Sequence, residues 1–151
     1  MNEPIFEFRG PTRWLSNFEY AEVTIDGKTY ATNEHYYQAC KAFTEQAHET
    51  IRTRVTPGEA KKLGQLVLLR PDWEEIKDAV MLKGLRAKFA PGTPLAYRLL
   101  ATKDSVLVEG NNWGDRVWGA VWDGHQWVGE NRLGKMLMQV RQELIQLAQV
   151  P

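Results

Sequence analysis

A short segment carries the residue types of an acid–base or covalent mechanism. In TNEHYYQACKAF, Thr32 to Phe43, a carboxylate (Glu34), an amide (Gln38) and an amine (Lys41) are spaced four and then three residues apart. Such spacings return to one face of an α-helix. Aromatic neighbours raise the pKa of a carboxyl group and lower that of an amine. This polar stripe therefore suits a proton donor and a nucleophile working near neutral pH.

Each member of the stripe also has an ordinary structural explanation. A glutamate in the first turn of a helix interacts favourably with the helix dipole, and most lysines are solvated. The opposite spacing, Tyr36, Ala39, Cys40 and Phe43, predicts an apolar stripe that packs against a core. The polar stripe either faces water or lines a pocket.

Two later segments could supply binding groups. In LVEGNNWGDRVWG a predicted strand ends at Val108, and loops that follow strands often display functional side chains. In GENRLG, Asn131 and Arg132 stand at the start of the last predicted helix, a place suited to a phosphate or carboxylate. An ordinary Asx-rich turn and a plain helix N-cap explain the same residues. The side chains of interest in the first segment are Glu109, Asn111, Asn112, Asp115 and Trp118.

Metal and nucleotide-triphosphate chemistry have no support in the motifs. His35, His48 and His125 show no H-E-x-x-H spacing and no cysteine partners. The chain also lacks a Walker loop, a G-x-G-x-x-G segment after a strand and a G-x-S-x-G motif. We therefore expect a metal-independent protein without a cofactor.

Composition predicts one cytoplasmic domain spanning residues 1–151. The length of 151 residues suits a single core, and the single cysteine, Cys40, fits a reducing compartment. Lys and Arg balance Asp and Glu at 19 each, which argues against indiscriminate nucleic-acid or membrane binding. We expect no membrane span, because no apolar run reaches the roughly 20 residues that one requires.

The elements that would position these residues are mostly helices. Asp26-Gly27 between apolar residues predicts a hairpin with a type I′ turn. Helix starts are predicted at Thr32 or Asn33, at Thr56, at Asp72, at Thr93 and at NRLGKM. Short strands are predicted at Phe6 to Phe8 and in SVLVEG. The fold class expected is α+β, mainly α-helical with a small sheet or hairpin.

Seven segments together resemble one family. WLSNF, DGKTYATNEHYYQACKAF, TPGEAKKLG, RPDWEEIKDAVMLKGLRAKF, LLATKDSVLVEG, DRVWG and NRLGKMLMQVR occur in the order typical of the NADAR family, the YbiA-like N-glycosidases. The resemblance covers nearly the whole chain. It implies the YbiA-like (NADAR) fold and metal-free hydrolysis of an N-glycosidic bond.

The resemblance also implies roles for individual residues. Glu34 matches the family's essential acid, Trp73 its functional tryptophan and Asp115 its later acid. Lys41 matches a lysine that, in the ADP-ribosyl-guanine branch of the family, looks able to form a Schiff base with the opened sugar, although Lys61 and Lys62 are also available. Further residues predicted to contact substrate are Arg9, Gly10, Asn17, Phe18, Gln38, Glu109, Trp118 and Asn131.

Two nucleotide-type substrates are compatible with the resemblance: ADP-ribose attached to guanine bases of DNA or RNA, and phosphoribosylamino-pyrimidine intermediates of riboflavin synthesis. Trp122 and Trp127 occupy a segment that looks glycine-rich in the YbiA-like branch, and an added aromatic wall could hold a flat base. Together with Lys41 this favours ADP-ribosyl guanine. A non-catalytic ADP-ribose-binding module and a nucleic-acid structural protein are the alternatives from other classes.

Overall fold

The computed structural model describes residues 2–150, and the chain divides into two compact units. Residues up to Ser16 and from Phe89 onward form one unit, called here the terminal unit, and Asn17–Lys88 form the other, the central unit. The sequence predicts a single domain over 1–151, and this stays a prediction. No helix within residues 2–150 is long and apolar enough to cross a membrane.

The central unit is a hairpin followed by four helices. Strands β1 (Val23–Ile25) and β2 (Lys28–Tyr30) pair antiparallel, and the helices are α1 (Asn33–Cys40), α2 (Glu45–Arg52), α3 (Pro57–Gly64) and α4 (Trp73–Lys88). Helix α1 packs against α2, α3 and α4. The buried core includes Val23, Tyr30, Tyr36 and Ile51. Helix α1 is therefore the central element of this unit.

The predicted hairpin and helix starts are confirmed in this unit. Asp26 and Gly27 have φ angles of 53° and 81°, as a type I′ turn requires. The Thr32 hydroxyl accepts the His35 N–H, and the Thr56 hydroxyl accepts the Glu59 N–H, so both threonines are N-caps. These interactions join residues a few positions apart, so they can be predicted from the sequence.

Helix α1 is shorter than the sequence pattern suggests. Its backbone leaves the helix at Lys41, whose carbonyl accepts the Arg70 N–H at 2.9 Å, while the Phe43 N–H donates to the Leu68 carbonyl at 2.9 Å. The apolar role predicted for Phe43 is wrong, because its side chain is 56% exposed. A separate helix, α2, begins after the N-cap Thr44, and the sequence pattern did not predict it.

The terminal unit combines a 3-10 helix, two α-helices and a three-stranded sheet. The 3-10 helix is Gly10–Leu15, and the α-helices are α5 (Pro94–Ala101) and α6 (Arg132–Ala148). Strand β3 (Gly110–Asn111) pairs parallel with β4 (Ala120–Trp122), which pairs antiparallel with β5 (Trp127–Val128). Helix α5 packs on α6. The predicted class, mainly helical α+β with small sheets, is confirmed.

The strands predicted at Phe6 to Phe8 and in SVLVEG are corrected. Only Ile5 and Leu107 form a bridge, supported by the Ile5 N–H to Val106 O and Val108 N–H to Ile5 O hydrogen bonds, each 2.8 Å. The regular strand begins later, at Gly110. The alternation of apolar residues identified two segments that do pair with each other, but the pairing extends over too few residues for a strand.

Candidate active site

Glu34 is a buried carboxylate held at both its backbone and its side chain. It lies in the first turn of α1 and is 7% exposed. Its N–H donates to the Asn17 carbonyl at 3.0 Å, and its Oε2 accepts from Gln38 Nε2 at 2.6 Å. A charge-assisted hydrogen bond of this kind is stronger than a neutral one. The carboxylate is thus fixed in one orientation.

Lys41 follows the last turn of α1 and is half-buried. Its Nζ lies 5.5 Å from the centre of the Tyr37 ring. Burial lowers the pKa of Lys41; Lys61 and Lys77 lower it further, whereas the Glu34 carboxylate opposes this shift. A lowered pKa increases the fraction of neutral amine, which is the nucleophilic form.

Aromatic rings and a second lysine lie beside these two groups. Tyr37 and Trp73 are 5.1 Å apart between ring centres at an interplanar angle of 58°, and Trp73 is 4% exposed. Lys61 Nζ lies 5.8 Å from the centre of the Phe18 ring. The predicted role of Trp73 in stacking on substrate stays a prediction; its ring supports Tyr37, the ring beneath Lys41.

This part of the central unit can perform acid–base and covalent chemistry. A buried carboxyl group can deliver a proton and, once ionised, can take one, and an amine with a lowered pKa can attack an electrophilic carbon. The polar stripe predicted on α1 therefore points into the protein at Glu34 and Gln38, which are both buried. The alternative of a stripe facing water is wrong for these two residues.

The Asn17 side chain is committed within the protein. Its Oδ1 accepts from Asn33 Nδ2 at 2.9 Å, and its Nδ2 donates to Met81 Sδ at 3.4 Å. Asn17 is 6% exposed. Its backbone carbonyl, which receives the Glu34 N–H, is the group that serves the candidate site. The substrate contact predicted for the Asn17 side chain stays a prediction.

Arg9 and Gly10 lie in the terminal unit, at the start of the 3-10 helix. Arg9 Nε and Nη2 donate to the two oxygens of Glu7, each at 2.9 Å, on an exposed surface. Gly10 has a φ of 57° and nothing within 4 Å of the position that a Cβ would take. Both remain predicted substrate contacts, and the Arg9 guanidinium already has one carboxylate partner.

Asp115 organises the loop between β3 and β4. Its Oδ1 accepts the N–H groups of Val117 and Trp118 at 3.0 and 2.9 Å. The Asp115 N–H and carbonyl bond the Asn111 side chain at 3.0 and 2.8 Å. This is the Asx-rich turn that the sequence offered as the ordinary explanation. The role of Asp115 as a later acid stays a prediction.

Asn131 connects the start of α6 to the segment before β3. Its Nδ2 donates to the Leu107 carbonyl at 2.9 Å, and its Oδ1 accepts the Glu109 N–H at 3.0 Å. Asn131 occupies the N-cap position of α6 with a φ of 50°, but its side chain makes no capping hydrogen bond. The phosphate contact predicted for Asn131 would compete with two backbone hydrogen bonds.

The tryptophans predicted as an aromatic wall form the β4–β5 hairpin. Trp127 stacks on Phe6 at 5.7 Å between ring centres and 15° between planes, and it meets Trp122 edge-on at 5.5 Å. Trp122 is 52% exposed. One face of Trp127 is therefore already covered, which weakens the interpretation of this pair as a wall for a flat base.

Lys77 was not singled out from sequence, whereas Lys61 was named as an available nucleophile and Tyr37 belongs to the aromatic residues around the stripe. Tyr37 lies beneath Lys41, and Lys61 and Lys77 act on its charge. Lys77 pairs with Glu74 at 2.7 Å. The spacing of Trp73 and Lys77, four residues apart on α4, is a signal that could have found Lys77. Within the part of the chain described, no cluster of three or more His, Cys, Asp or Glu side chains could hold a metal ion.

Comparison with known proteins places most of the chain in one family. The NADAR domain family model matches residues 6–145. N-glycosidase YbiA of Escherichia coli strain K12 is 43% identical over 132 residues, covering 86% of this chain and 80% of that protein. N-glycosidase Npun_R5314 of Nostoc punctiforme is 37% identical over 139 residues, covering 89% and 86%.

A solved structure and a longer relative agree with this placement. The NMR structure of E. coli YbiA matches with a TM-score of 0.84 at 38% identity and covers 100% of this chain and 91% of that chain. Riboflavin biosynthesis protein VVA0006 of Vibrio vulnificus is 36% identical over 148 residues, 95% of this chain but 39% of that protein. The predicted fold and enzyme class, an N-glycosidase, are confirmed by these relatives.

Proposed function

This chain belongs to the NADAR family, and we propose that its N-glycosidase activity acts on phosphoribosylamino-pyrimidines through an imine at Lys41. The observation that carries the proposal is a buried, oriented carboxylate, Glu34 in the first turn of α1, together with the half-buried amine Lys41, which follows the last turn. Relatives named as riboflavin biosynthesis proteins support the substrate class. The sequence favoured ADP-ribosyl guanine, and the packing of Trp127 against Phe6 removes part of the reason for that preference.

The proposed reaction begins with opening of the ribose. Glu34 gives its proton to the ring oxygen, the C1–O bond breaks, and C1 becomes doubly bonded to the nitrogen of the departing base. The neutral amine of Lys41 adds to C1. The base then leaves as an amine, taking a proton, and C1 remains joined to Lys41 as an imine. Water adds to C1 and releases the sugar aldehyde and free Lys41, with Glu34 as the base. Proton transfer of this sort typically contributes 10²–10⁴-fold.

A direct route without a covalent intermediate is the alternative chemistry. It passes through an oxocarbenium-like state stabilised by carboxylates, as in ordinary glycosidases. Sodium borohydride separates the two routes, because it reduces an imine to a stable amine. We expect a sugar mass on the tryptic peptide that contains Lys41 during turnover. An unmodified Lys41 peptide, or a sugar on the Lys61 or Lys62 peptide, would contradict the assignment.

Matched variants test the two principal residues. Glu34→Gln keeps the size of the side chain but cannot transfer a proton, so we expect turnover to fall by about 10²-fold or more. Lys41→Arg keeps the charge but cannot form the imine, and a comparable loss is expected. Lys62→Arg, at an exposed position of α3, is the control and should leave turnover unchanged. Near-wild-type turnover of Glu34→Gln would refute the proposed acid.

ADP-ribosyl guanine is the second candidate substrate. The exposed ring of Trp122 is the observation that favours it, since an open aromatic face can stack on a base. Side-by-side turnover on a phosphoribosylamino-pyrimidine and on ADP-ribosylated guanine DNA decides between them. We expect faster release of the pyrimidine. If ADP-ribose is released faster, and Trp122→Ala slows that release, the second candidate is correct. Binding without release of either product would indicate a binding module.

A further inference from the structure

The side chain of Gln38 is arranged around the Glu34 carboxylate. Gln38 lies one turn after Glu34 on α1 and is 4% exposed. Its Nε2 donates to Glu34 Oε2 at 2.6 Å. Its Oε1 is buried and has no hydrogen-bond partner within residues 2–150. The amide thus uses its donor on the carboxylate and leaves its own acceptor unsatisfied.

That arrangement has an energetic cost. A buried polar atom without a partner is unfavourable by about 1–3 kcal/mol, whereas a hydrogen bond to a charged group is favourable by about 1.5–3 kcal/mol. The bond to the Glu34 carboxylate therefore determines the direction of the amide. A residue selected only for packing at this position would avoid the cost with an apolar side chain of similar size.

Helix α3 leaves space for this amide at Gly64. A Cβ on Gly64 would overlap the end of the Gln38 side chain and would lie 2.8 Å from its Cδ. Gly64 is the last residue of α3 and is itself buried. The close approach of α3 to α1 at this point therefore holds the Gln38 amide against the carboxylate.

From these contacts we propose that Gln38 is a positioning residue for Glu34, and that Gly64 is the residue of α3 that keeps the Gln38 amide in place. The amide donor stabilises the ionised carboxylate and fixes the direction in which the carboxyl presents its proton. This reassigns Gln38, predicted from sequence to contact substrate, to a role exerted through Glu34. The inference rests on the proposed function of Glu34.

The first test titrates Glu34 directly, independently of turnover. The Glu34 carboxyl carbon is followed by 13C NMR, and its signal is identified by its absence in Glu34→Gln. In Gln38→Met, which keeps the length of the side chain but lacks the amide, we expect the titration midpoint to move to higher pH by about one unit. We also expect the turnover number to fall about 10-fold, with KM changed less. An unchanged titration and turnover number would overturn the proposal.

The second test examines Gly64 through a double-mutant cycle. Gly64→Ala should displace the amide and reproduce the shift in titration seen with Gln38→Met. In a Gln38→Ala background, where the space is free, the added methyl should have no further effect on the titration or on turnover. Gly58→Ala on the same helix is the control, because a Cβ there would meet only Thr56 Oγ1, at 3.9 Å. If the effects of Gly64→Ala and Gln38→Ala were additive, Gly64 would not act through the Gln38 amide, which would contradict the proposal.

The outcomes separate this inference from the proposed function. If Glu34→Gln is inactive and Gln38→Met behaves as the wild type, the acid is correct and the positioning role is wrong. If Gln38→Met shifts the Glu34 titration while Glu34→Gln retains full turnover, the contact is real but the proposed function of Glu34 is wrong. The titration requires only a folded protein, so it tests the contact between Gln38 and Glu34 independently of turnover.

Discussion

At the scale of single residues, the arrangement of hydrogen bonds distinguishes groups available to a substrate from groups that hold the fold. The Glu34 carboxylate accepts a side-chain hydrogen bond from Gln38. The amides of Asn17 and Asn131, in contrast, both donate and accept within the protein. From residue type alone, all three side chains are equally plausible as contacts to a ligand. Their neighbours in space separate them.

Asp115 is the residue whose role a single substitution can decide. Its Oδ1 accepts two backbone N–H groups, and an asparagine oxygen can accept the same two bonds. We expect Asp115→Asn to retain turnover within a few-fold, and Asp115→Ala to lower the free energy of unfolding by about 1 kcal/mol. Steady-state kinetics and urea unfolding measure the two effects. If Asp115→Asn abolished turnover in a stably folded protein, the carboxylate would belong to the chemistry.

At the scale of elements, α1 is positioned by helices that approach it at glycines. Gly64 of α3 faces Gln38, and Gly84 of α4 faces Asn33 and Tyr36. Gly84 lies in the interior of α4, where a glycine is normally less favourable than alanine by about 0.5–1 kcal/mol. Both glycines are explained by the close approach of their helices to α1. Two neighbours of α1 therefore contribute to the site by leaving space as well as by adding side chains.

The change in stability caused by one glycine substitution tests this account of the helix packing. A Cβ on Gly84 would lie 2.8 Å from Tyr36 Cδ2. We expect Gly84→Ala to destabilise the protein by about 1–3 kcal/mol, the usual cost of overpacking, although helix propensity alone would stabilise it. Urea unfolding gives the change, with Gly58→Ala as a matched glycine that has open space. Stabilisation of the protein by Gly84→Ala would refute the close contact.

At the scale of the whole molecule, the buried His35 should make stability depend on pH. It is fully buried; its Nε2 bonds the Arg54 carbonyl at 2.9 Å and its Nδ1 bonds Thr32 Oγ1 at 2.8 Å. Burial lowers the pKa of His35 from its ordinary 6.5. The unfolded chain therefore takes up the proton first, and stability present above pH 6.5 is lost as the pH falls through the lowered pKa.

Unfolding free energies measured between pH 8 and pH 5 check this dependence, a range chosen to span about one and a half units on either side of an ordinary histidine pKa. We expect them to decrease below pH 6.5, and His35→Gln to reduce the slope. Burial also lowers the pKa of His48, so part of the slope should remain. His125→Gln, on the exposed β4–β5 hairpin, is the control. An identical slope in wild type and His35→Gln would exclude His35 as its source.

The sequence determined the features whose physical cause is local. The type I′ turn at Asp26-Gly27, the threonine caps of α1 and α3 and the helical period of α6 depend on residues a few positions apart, so they are legible along the chain. The Glu34, Gln38 and Lys41 stripe belongs to the same class. The resemblance over seven segments indicated the family. The NADAR domain family model, which matches residues 6–145, confirms it.

The tertiary structure decided what depends on distant neighbours. Helix α1 ends at Cys40, and the backbone groups of Lys41 and Phe43 that follow it bond segment 68–70 instead of continuing the helix. No pattern within the helix signals this. Whether Glu34 is buried, what Gln38 bonds and why position 64 is glycine depend on the packing of α1 against α3. Whether a side chain is buried, and whether its polar atoms find hydrogen-bond partners, depends on the residues that pack around it. Those residues are distant in the sequence, so they are known only once the chain has folded.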